Sequence, residues 1–85
     1  MHLLAAQLRA ARALLRWSAS DLAVASKVGV ATIRRGEVIE GPIPVTAANN
    51  AALRRALEDA GVEFIDENGG GVGVRLRNPA RGSEK

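Results

Sequence analysis

Two adjacent arginines, Arg34 and Arg35, carry the most specific chemistry in this chain. A guanidinium group forms paired hydrogen bonds to a phosphate and to the edge of guanine, which an ammonium group cannot do in the same geometry. The two arginines end the segment 18–37, SASDLAVASKVGVATIRRGE, which has the pattern of two short helices joined by a tight turn. A helix that begins with small residues and then presents arginines has the shape that enters a DNA major groove.

The charge of the whole chain agrees with an anionic partner. Its 85 residues have a net charge of +3, and ten of the twelve basic residues are arginine. An arginine-rich domain indicates a polyanion as partner. The alternative interpretation is a solvated basic surface, and a charge of +3 alone does not decide between the two.

The residues needed for other chemistry are missing or poorly placed. The chain has no cysteine, which excludes disulfides and thiolate metal sites. Its single histidine, His2, lies near the N-terminus, where we expect mobility rather than a catalytic base or a metal ligand. The adjacent carboxylates at 58–59 and 66–67 have the pattern of solvated charge, and the glycines at 69–71 and 73 do not lie between a strand and a helix. We therefore predict no enzymatic activity, no metal and no cofactor.

The apolar periodicity predicts helices in the first sixty residues. Residues 3–16 form a first helix, with an apolar stripe of Leu4, Leu8, Ala11 and Leu15. Arg9, Arg12 and Arg16 line another of its faces. The composition, 47% hydrophobic with only Trp17 and Phe64 aromatic, suits a core of closely packed helices.

Capping signals set the bounds of the next three helices. Ser18 is a good N-cap for the second helix, and Asp21 can bond back to its amide. The chain turns at 27–29, Gly29 caps a third helix that ends near Gly36 or Val38, and Ile33 is its inward anchor. Residues 41–44, GPIP, interrupt the helical pattern. Thr46 caps a fourth helix that runs to Ala60, with Leu53, Ala56, Leu57 and Ala60 on its apolar face.

After Gly61 the pattern changes to strands. Residues 62–66 and 71–77 alternate with period two, and the ENGGG segment between them is typical of a turn. The predicted fold is therefore mainly α, with four helices followed by a C-terminal two-stranded β-hairpin. We predict a helical domain over 1–61, the hairpin over 62–77 and a flexible tail over 78–85.

The segment 18–37 resembles the Cro/C1-type helix-turn-helix family, the lambda-repressor-like or XRE group of bacterial and phage regulators. The matching residues are Leu22 and Ala23 in the second helix, Ile33 in the third and Glu37 after it. The chain is also similar, from Leu8 to Arg77, to a proteobacterial subset with segments such as ATIRR, AGVEFI and ENGGGVGVRLR. This resemblance implies a four-helix lambda-repressor-like domain that binds DNA.

The resemblance also implies roles for individual residues. It places the recognition helix at 30–38, with base edges facing its first turn. Arg34 and Arg35 are the candidates for a guanine edge and a phosphate, in either assignment; the alternative is that both lie on a solvated face. Arg12 and Glu37 match a pair that forms a structural ion pair in some members, although Arg12 could instead bind the DNA backbone. The full set of DNA-binding candidates is Ser18, Lys27, Val30, Ala31, Thr32, Arg34 and Arg35.

Several positions depart from the family pattern. Lys27 replaces the usual turn glycine and must adopt a left-handed conformation at some cost. Gly29 replaces a serine cap, Gly36 replaces a bulky residue, and Ala19 lacks the phosphate-binding glutamine of some relatives. The apolar Val30 and Ala31, together with Lys27 and Ala19, leave open an alternative function, a protein-interaction module such as an antiactivator or an antitoxin.

The function that the sequence favours is a sequence-specific regulator of transcription that binds double-stranded DNA. One recognition helix covers few base pairs, so we expect a homodimer on a near-palindromic site, in the cytoplasm and without a membrane. We expect the hairpin to help form the dimer through Val62, Phe64, Val74 and Leu76. The alternative is that these side chains complete the core of their own chain.

Overall fold

The computed structural model describes residues 2–77, and the predicted tail over 78–85 lies outside them. The elements are α1 (Ala5–Leu15), α2 (Ala19–Ser26), α3 (Val30–Glu37), α4 (Ala47–Asp59), β1 (Val62–Ile65) and β2 (Gly73–Leu76). The prediction of four helices followed by an antiparallel hairpin is confirmed at this level. No helix among the described residues is both long and apolar enough to cross a membrane.

The chain begins in an extended segment rather than in the first helix. Helix α1 begins at Ala5, two residues later than predicted, because Leu3 and Leu4 lie against the 41–44 segment. The Ile43 amide donates to the Leu3 carbonyl over 3.0 Å, and the Leu3 amide donates to Asn50 Oδ1 over 2.8 Å. Leu3, rather than Leu4, is fully buried. The N-terminal segment is therefore fixed by contacts distant in sequence.

His2 makes a hydrogen bond that the expectation of a mobile N-terminus did not include. Its Nε2 lies 2.7 Å from the Ile43 carbonyl oxygen, so the ring is hydrogen-bonded to the same segment that holds Leu3. The partner is 41 residues away in sequence. No local pattern around His2 could have indicated it.

The core lies where the four helices and the hairpin meet. The side chains buried there most completely are aliphatic, as the scarcity of aromatic residues predicts. Each helix contributes at least one of them: Leu8 from α1, Leu22 from α2, Ile33 from α3, and Leu53 and Leu57 from α4. Ala60, predicted on the apolar face of α4, is instead exposed at the end of that helix.

The hairpin packs on the helices of its own chain. Val62 pairs with Leu76 and Phe64 with Val74, so these four side chains share one face. Val62 and Phe64 are buried, and Val74 and Leu76 pack half-buried against the core. These contacts agree with the alternative in which the hairpin completes the core of its own chain. A dimer formed through the hairpin stays a prediction.

Both strands are shorter than predicted. Strand β1 ends at Ile65 and β2 begins at Gly73. Val72, predicted on the apolar face, therefore precedes β2 and is 38% exposed. Side chains tie the hairpin to the helices: the Arg54 guanidinium lies 5.2 Å from the centre of the Phe64 ring, and Arg77 Nη2 donates to the Glu58 carbonyl over 2.7 Å.

Candidate functional site

Helix α2 begins at a reciprocal cap. The Asp21 amide donates to Ser18 Oγ over 2.9 Å, and the Ser18 amide donates to Asp21 Oδ2 over 2.8 Å. Two amides at the start of the helix are thereby satisfied, and the Asp21 carboxylate lies where the helix dipole favours negative charge. The predicted capping interaction is confirmed, and it fixes the residue at which α2 begins.

The turn between α2 and α3 spans residues 27–29. Lys27 has φ 65° and ψ 22°, the left-handed conformation that its position predicts, and its amide donates to the Ala23 carbonyl over 2.8 Å. The buried Val28 follows it. Ser26 Oγ donates to the Leu22 carbonyl over 2.7 Å and accepts from the Val28 amide over 3.2 Å. These contacts fix the direction in which the chain leaves α2.

The contribution of Ser26 was missed in the sequence. A serine at the last turn of a helix can bond its own backbone or face solvent, and the local sequence does not distinguish the two. Here its burial and its two hydrogen bonds make it part of the turn. The angle between α2 and α3 therefore depends on a small polar side chain as well as on the apolar anchors.

Helix α3 has a clear inner face. Ile33, Gly36 and Glu37 are buried, and Ile33 is the anchor that the sequence predicts. A Cβ atom built on Gly36 would lie 3.5 Å from Ile43, so alanine would fit in ordinary contact while a bulky side chain would displace the 41–44 segment. The helix continues through this glycine and ends at Glu37, with Val38 as its C-cap.

The outer face of α3 presents the arginines to solvent. Successive residues of a helix are rotated by about 100°, which places Ala31 and Arg35 opposite the buried side and Arg34 on the flank. All three are exposed. Thr32 is half-buried and accepts a long contact of 3.4 Å from Arg35 Nη2. Val30 is only partly on this face, because it is half-buried against the core.

Arg12 and Glu37 join α1 to the end of α3. Arg12 Nε and Nη2 each donate to one Glu37 carboxylate oxygen over 2.7 Å. Arg12 Nη1 donates to the Trp17 carbonyl over 2.7 Å, so the same guanidinium also fixes the chain between α1 and α2. The side chains are 22% and 8% exposed, and the hydrogen bonds from Arg12 to Glu37 raise the Arg12 pKa above its ordinary value.

A second arginine supports the same helix end. Arg9 Nη1 donates to the backbone carbonyl of Glu37, one of the carbonyls that the end of α3 leaves without a helical partner. Sequence reasoning found the Arg12 pair through the resemblance but missed Arg9. Its position in a row of arginines on α1 predicts only a solvated charge.

The exposed cations of the α2–α3 unit have no acidic partner within residues 2–77. The three ion pairs there join Arg12 to Glu37, Arg54 to Glu58, and Arg75 to Glu63. Arg34, Arg35 and Lys27 belong to none of them. Their charges are therefore not neutralised by neighbouring carboxylates, and they could bind an external anion.

The comparisons with known proteins identify no family. No family model matches the chain, and no curated protein is significantly similar to it. The geometry of α2, the turn and α3 therefore carries the functional argument.

Proposed function

We propose that this protein is a sequence-specific, double-stranded DNA-binding regulator of transcription of the Cro/C1-type helix-turn-helix class. Helix α3 is its recognition helix and lies in the major groove. The observation that carries this proposal is the outer face of α3, where Arg34 and Arg35 are exposed without an acidic partner in residues 2–77.

The contacts that hold α3 in place support the proposal. The capped α2 and the Lys27 turn fix its beginning, Ile33 anchors its middle, and Arg12 and Arg9 bond its last residue. A side chain discriminates between bases only when its backbone is held in place, because a bidentate contact tolerates little displacement. The contacts hold α3 in one orientation relative to α1 and α2.

The size of α3 also fits the groove. An α-helix with its side chains is about 10–12 Å in diameter, and the major groove is about 12 Å wide. Ala31, at the centre of the outer face, allows the helix to approach the bases closely and can contact a thymine methyl group. Val30 is half-buried, so it packs the first turn of α3 against the core and does not contact a base.

The two arginines have different positions, which gives them different tasks. Arg35 lies opposite the buried side, one turn after Ala31, and is the better candidate for paired hydrogen bonds to guanine. Arg34 lies on the flank of α3, where a phosphate of the groove wall is the nearer partner. Thr32 can hold the Arg35 side chain over the outer face, as its 3.4 Å contact indicates.

The remaining candidates contribute backbone contacts. Lys27 is exposed at the turn and can bind a phosphate beside the groove. The Ser18 hydroxyl is already used by the Asp21 amide, so Ser18 acts by positioning the start of α2 near the phosphates. A homodimer would place two copies of α3 in successive major grooves, about 34 Å apart.

Selection of bound duplexes from a random DNA pool tests this proposal. We expect a near-palindromic consensus whose half-sites are about 10 base pairs apart and contain a guanine. Arg35→Ala should relax the preference at that guanine, while Arg54→Ala, which removes the same charge from α4, should leave the consensus unchanged. Failure to enrich any sequence would reject sequence-specific binding.

Two exposed valines favour a second candidate function, a protein-interaction module on the same scaffold. Val24 on α2 and Val38 after α3 are 78% and 82% exposed, and a protein partner could cover these apolar side chains. Copurification of a stoichiometric protein partner, without retention of DNA, would favour this candidate. Binding to duplex DNA that weakens with salt favours the regulator.

A further inference from the structure

Strand β2 has an unpaired edge. The sheet within residues 2–77 has two strands, so β2 has β1 as its only neighbour there. The Arg77 amide donates to the Gly61 carbonyl over 2.8 Å, and the register then makes 63 with 75 and 65 with 73 the hydrogen-bonded pairs. The amide and carbonyl groups of Val74 and Leu76 therefore point away from β1.

The apolar side chains of β2 are less covered by the helices than those of β1. Val62 and Phe64 of β1 are buried against the helices, whereas Val74 and Leu76 of β2 are only half-buried. Val72, just before β2, is 38% exposed. Gln7 of α1 donates to the Gly73 carbonyl over 3.3 Å, but the outward amide and carbonyl groups of Val74 and Leu76 have no backbone partner within residues 2–77. These groups and the half-buried side chains lie along the same edge, which is the arrangement that accepts another strand.

Two glycines at this edge are not required by the fold of one chain. Gly71 and Gly73 are absent from the residues with positive φ. A Cβ atom built on Gly71 would meet nothing within 4 Å, and one built on Gly73 would meet only Ile65 Cδ1 at 3.8 Å. Glycine weakens a strand, and in a strand it often marks the close approach of another backbone.

We propose that a second copy of this chain pairs with β2 along this edge, antiparallel and centred on Val74. In this register Val72 of each copy lies opposite Leu76 of the other. Arg75 lies opposite Gly73, and Arg77 lies opposite Gly71. The two glycines thus leave room on the outer face for the arginine side chains of the second copy.

Charge selects this register among those that the edge allows. If the two strands were centred on Arg75, the Arg75 side chains of the two copies would lie opposite each other. If they were centred on Leu76, Arg75 of one copy would lie opposite Arg77 of the other. Like charges directly opposite each other are destabilising, so both registers are disfavoured. A shift towards Gly73 places Leu76 opposite the turn. In the Val74 register Arg75 also keeps its own partner, since its Nη2 lies 3.2 Å from Glu63 Oε2.

The edge of β2 is the dimer interface of the homodimer in the proposed function. The biological role of the pairing therefore rests on that proposed function. The pairing itself involves the hairpin and none of the α3 residues. It joins two hairpins into a four-stranded sheet, and it covers the half-exposed Val74 and Leu76 of both copies. Dimerisation and DNA binding can therefore be tested separately.

Disulfide crosslinking tests the register directly, because the chain has no cysteine of its own. Residues 73 and 75 would face each other as a non-hydrogen-bonded pair, with Cα atoms about 4.5 Å apart, a separation that a disulfide spans. A mixture of Gly73→Cys and Arg75→Cys proteins, oxidised without DNA, should give a mixed disulfide dimer as the main product. Gly73→Cys alone, which keeps Arg75 in both copies, should crosslink much less, since its two cysteines lie diagonally across the pair.

The control is a mixture of Gly73→Cys and Glu63→Cys. Glu63 lies on the same face of the hairpin as Arg75 but on the inner strand, so this mixture should not crosslink. Absence of the mixed dimer in the first mixture, or equal crosslinking in the control, would overturn the register. Neither result would bear on α3, and a crosslinked dimer that fails to bind DNA would reject the regulator without rejecting the pairing.

A second measurement tests the register with a pair of like charges instead of a disulfide bond. Gly73→Arg places an arginine opposite Arg75 of the second copy, and sedimentation should show a dimer dissociation constant raised about tenfold, because two such contacts form per dimer. Gly70→Arg adds the same charge in the turn, where nothing lies within 4 Å, and should leave the dissociation constant unchanged. Equal dissociation constants for the two variants would contradict the proposal.

Discussion

At the scale of single residues, the guanidinium of Arg12 connects more of this molecule than any other cation described. It bonds Glu37 through two nitrogens and the Trp17 carbonyl through the third. The planar guanidinium thus connects three parts of the chain: α1, the 16–18 corner and the end of α3. The planar, permanently charged form of arginine is what allows this, and lysine could not replace it.

Replacing Arg12 tests its structural role. Arg12→Ala leaves the Glu37 carboxylate, 8% exposed, without its partner, and we expect the free energy of unfolding to fall by about 2–3 kcal/mol. Arg9→Ala removes one bond to a backbone carbonyl and should cost about 1 kcal/mol. Urea unfolding of both variants measures the difference. Equal stabilities would mean that the Arg12 pair contributes no more than the Arg9 contact.

The Glu63–Arg75 pair on the hairpin gives a pH-dependent prediction. The hydrogen bonds from Arg75 hold the pKa of Glu63 below its ordinary value of 4.5. A lowered carboxyl pKa in the folded state stabilises the hairpin above pH 4.5, and this contribution is lost as the pH falls through the folded value. In Arg75→Ala we expect the Glu63 pKa to rise towards 4.5. An NMR titration of the Glu63 carboxyl measures it; an unchanged pKa would show that the pair does not persist in solution.

At the scale of the elements, the parts predicted from the sequence are those that local chemistry sets. The cap at Ser18 and the inward Ile33 follow from residue type and spacing within a few positions, whereas the left-handed conformation of Lys27 was implied by the resemblance. The hairpin follows from alternation around a glycine-rich turn. The bounds were wrong by one to two residues where another segment competes, as at Leu3 and Leu4.

Apart from Ser26, whose hydrogen bonds are local, the parts that were missed depend on contacts far along the chain. His2 and Leu3 bond residues 40 or more positions away, and Arg9 bonds a carbonyl 28 positions away. Such pairs leave no periodic signal, because each partner has an ordinary role in its local pattern. The Arg12–Glu37 pair was expected only because the resemblance implied it.

Lys27 provides a test in which stability and binding change in opposite directions. Its φ of 65° is strained for a residue with a Cβ, so Lys27→Gly should raise the free energy of unfolding by about 1 kcal/mol. The same change removes a cation beside the proposed DNA surface and should weaken DNA binding. Ser18→Ala is the comparison, since it removes the α2 cap and should cost about 1 kcal/mol. A Lys27→Gly protein that gained both stability and affinity would exclude the phosphate contact.

At the scale of the whole molecule, the fold separates two surfaces. The hairpin packs on α1 and α4, and β2 has no second neighbouring strand within residues 2–77. Helix α3 carries exposed arginines between α2 and the Arg12–Glu37 pair. The described residues form one unit with a radius of gyration of 12.1 Å. A protein of this size gains specificity for a long DNA site by pairing with itself, which is why the two proposals belong together.

The salt dependence of DNA binding by the two arginine variants tests the central claim most directly. With a duplex chosen by selection, fluorescence anisotropy at several salt concentrations gives the affinity and its slope against log salt concentration. We expect Arg35→Ala to lose about 1–3 kcal/mol of binding free energy and its discrimination at one guanine, and Arg34→Ala to lower the slope by about 1. Arg54→Ala, the control, removes the same charge from α4, outside α3 and the β2 edge, and should change neither. Wild-type affinity and slope in both α3 variants, with folding intact, would contradict the claim that this helix contacts DNA.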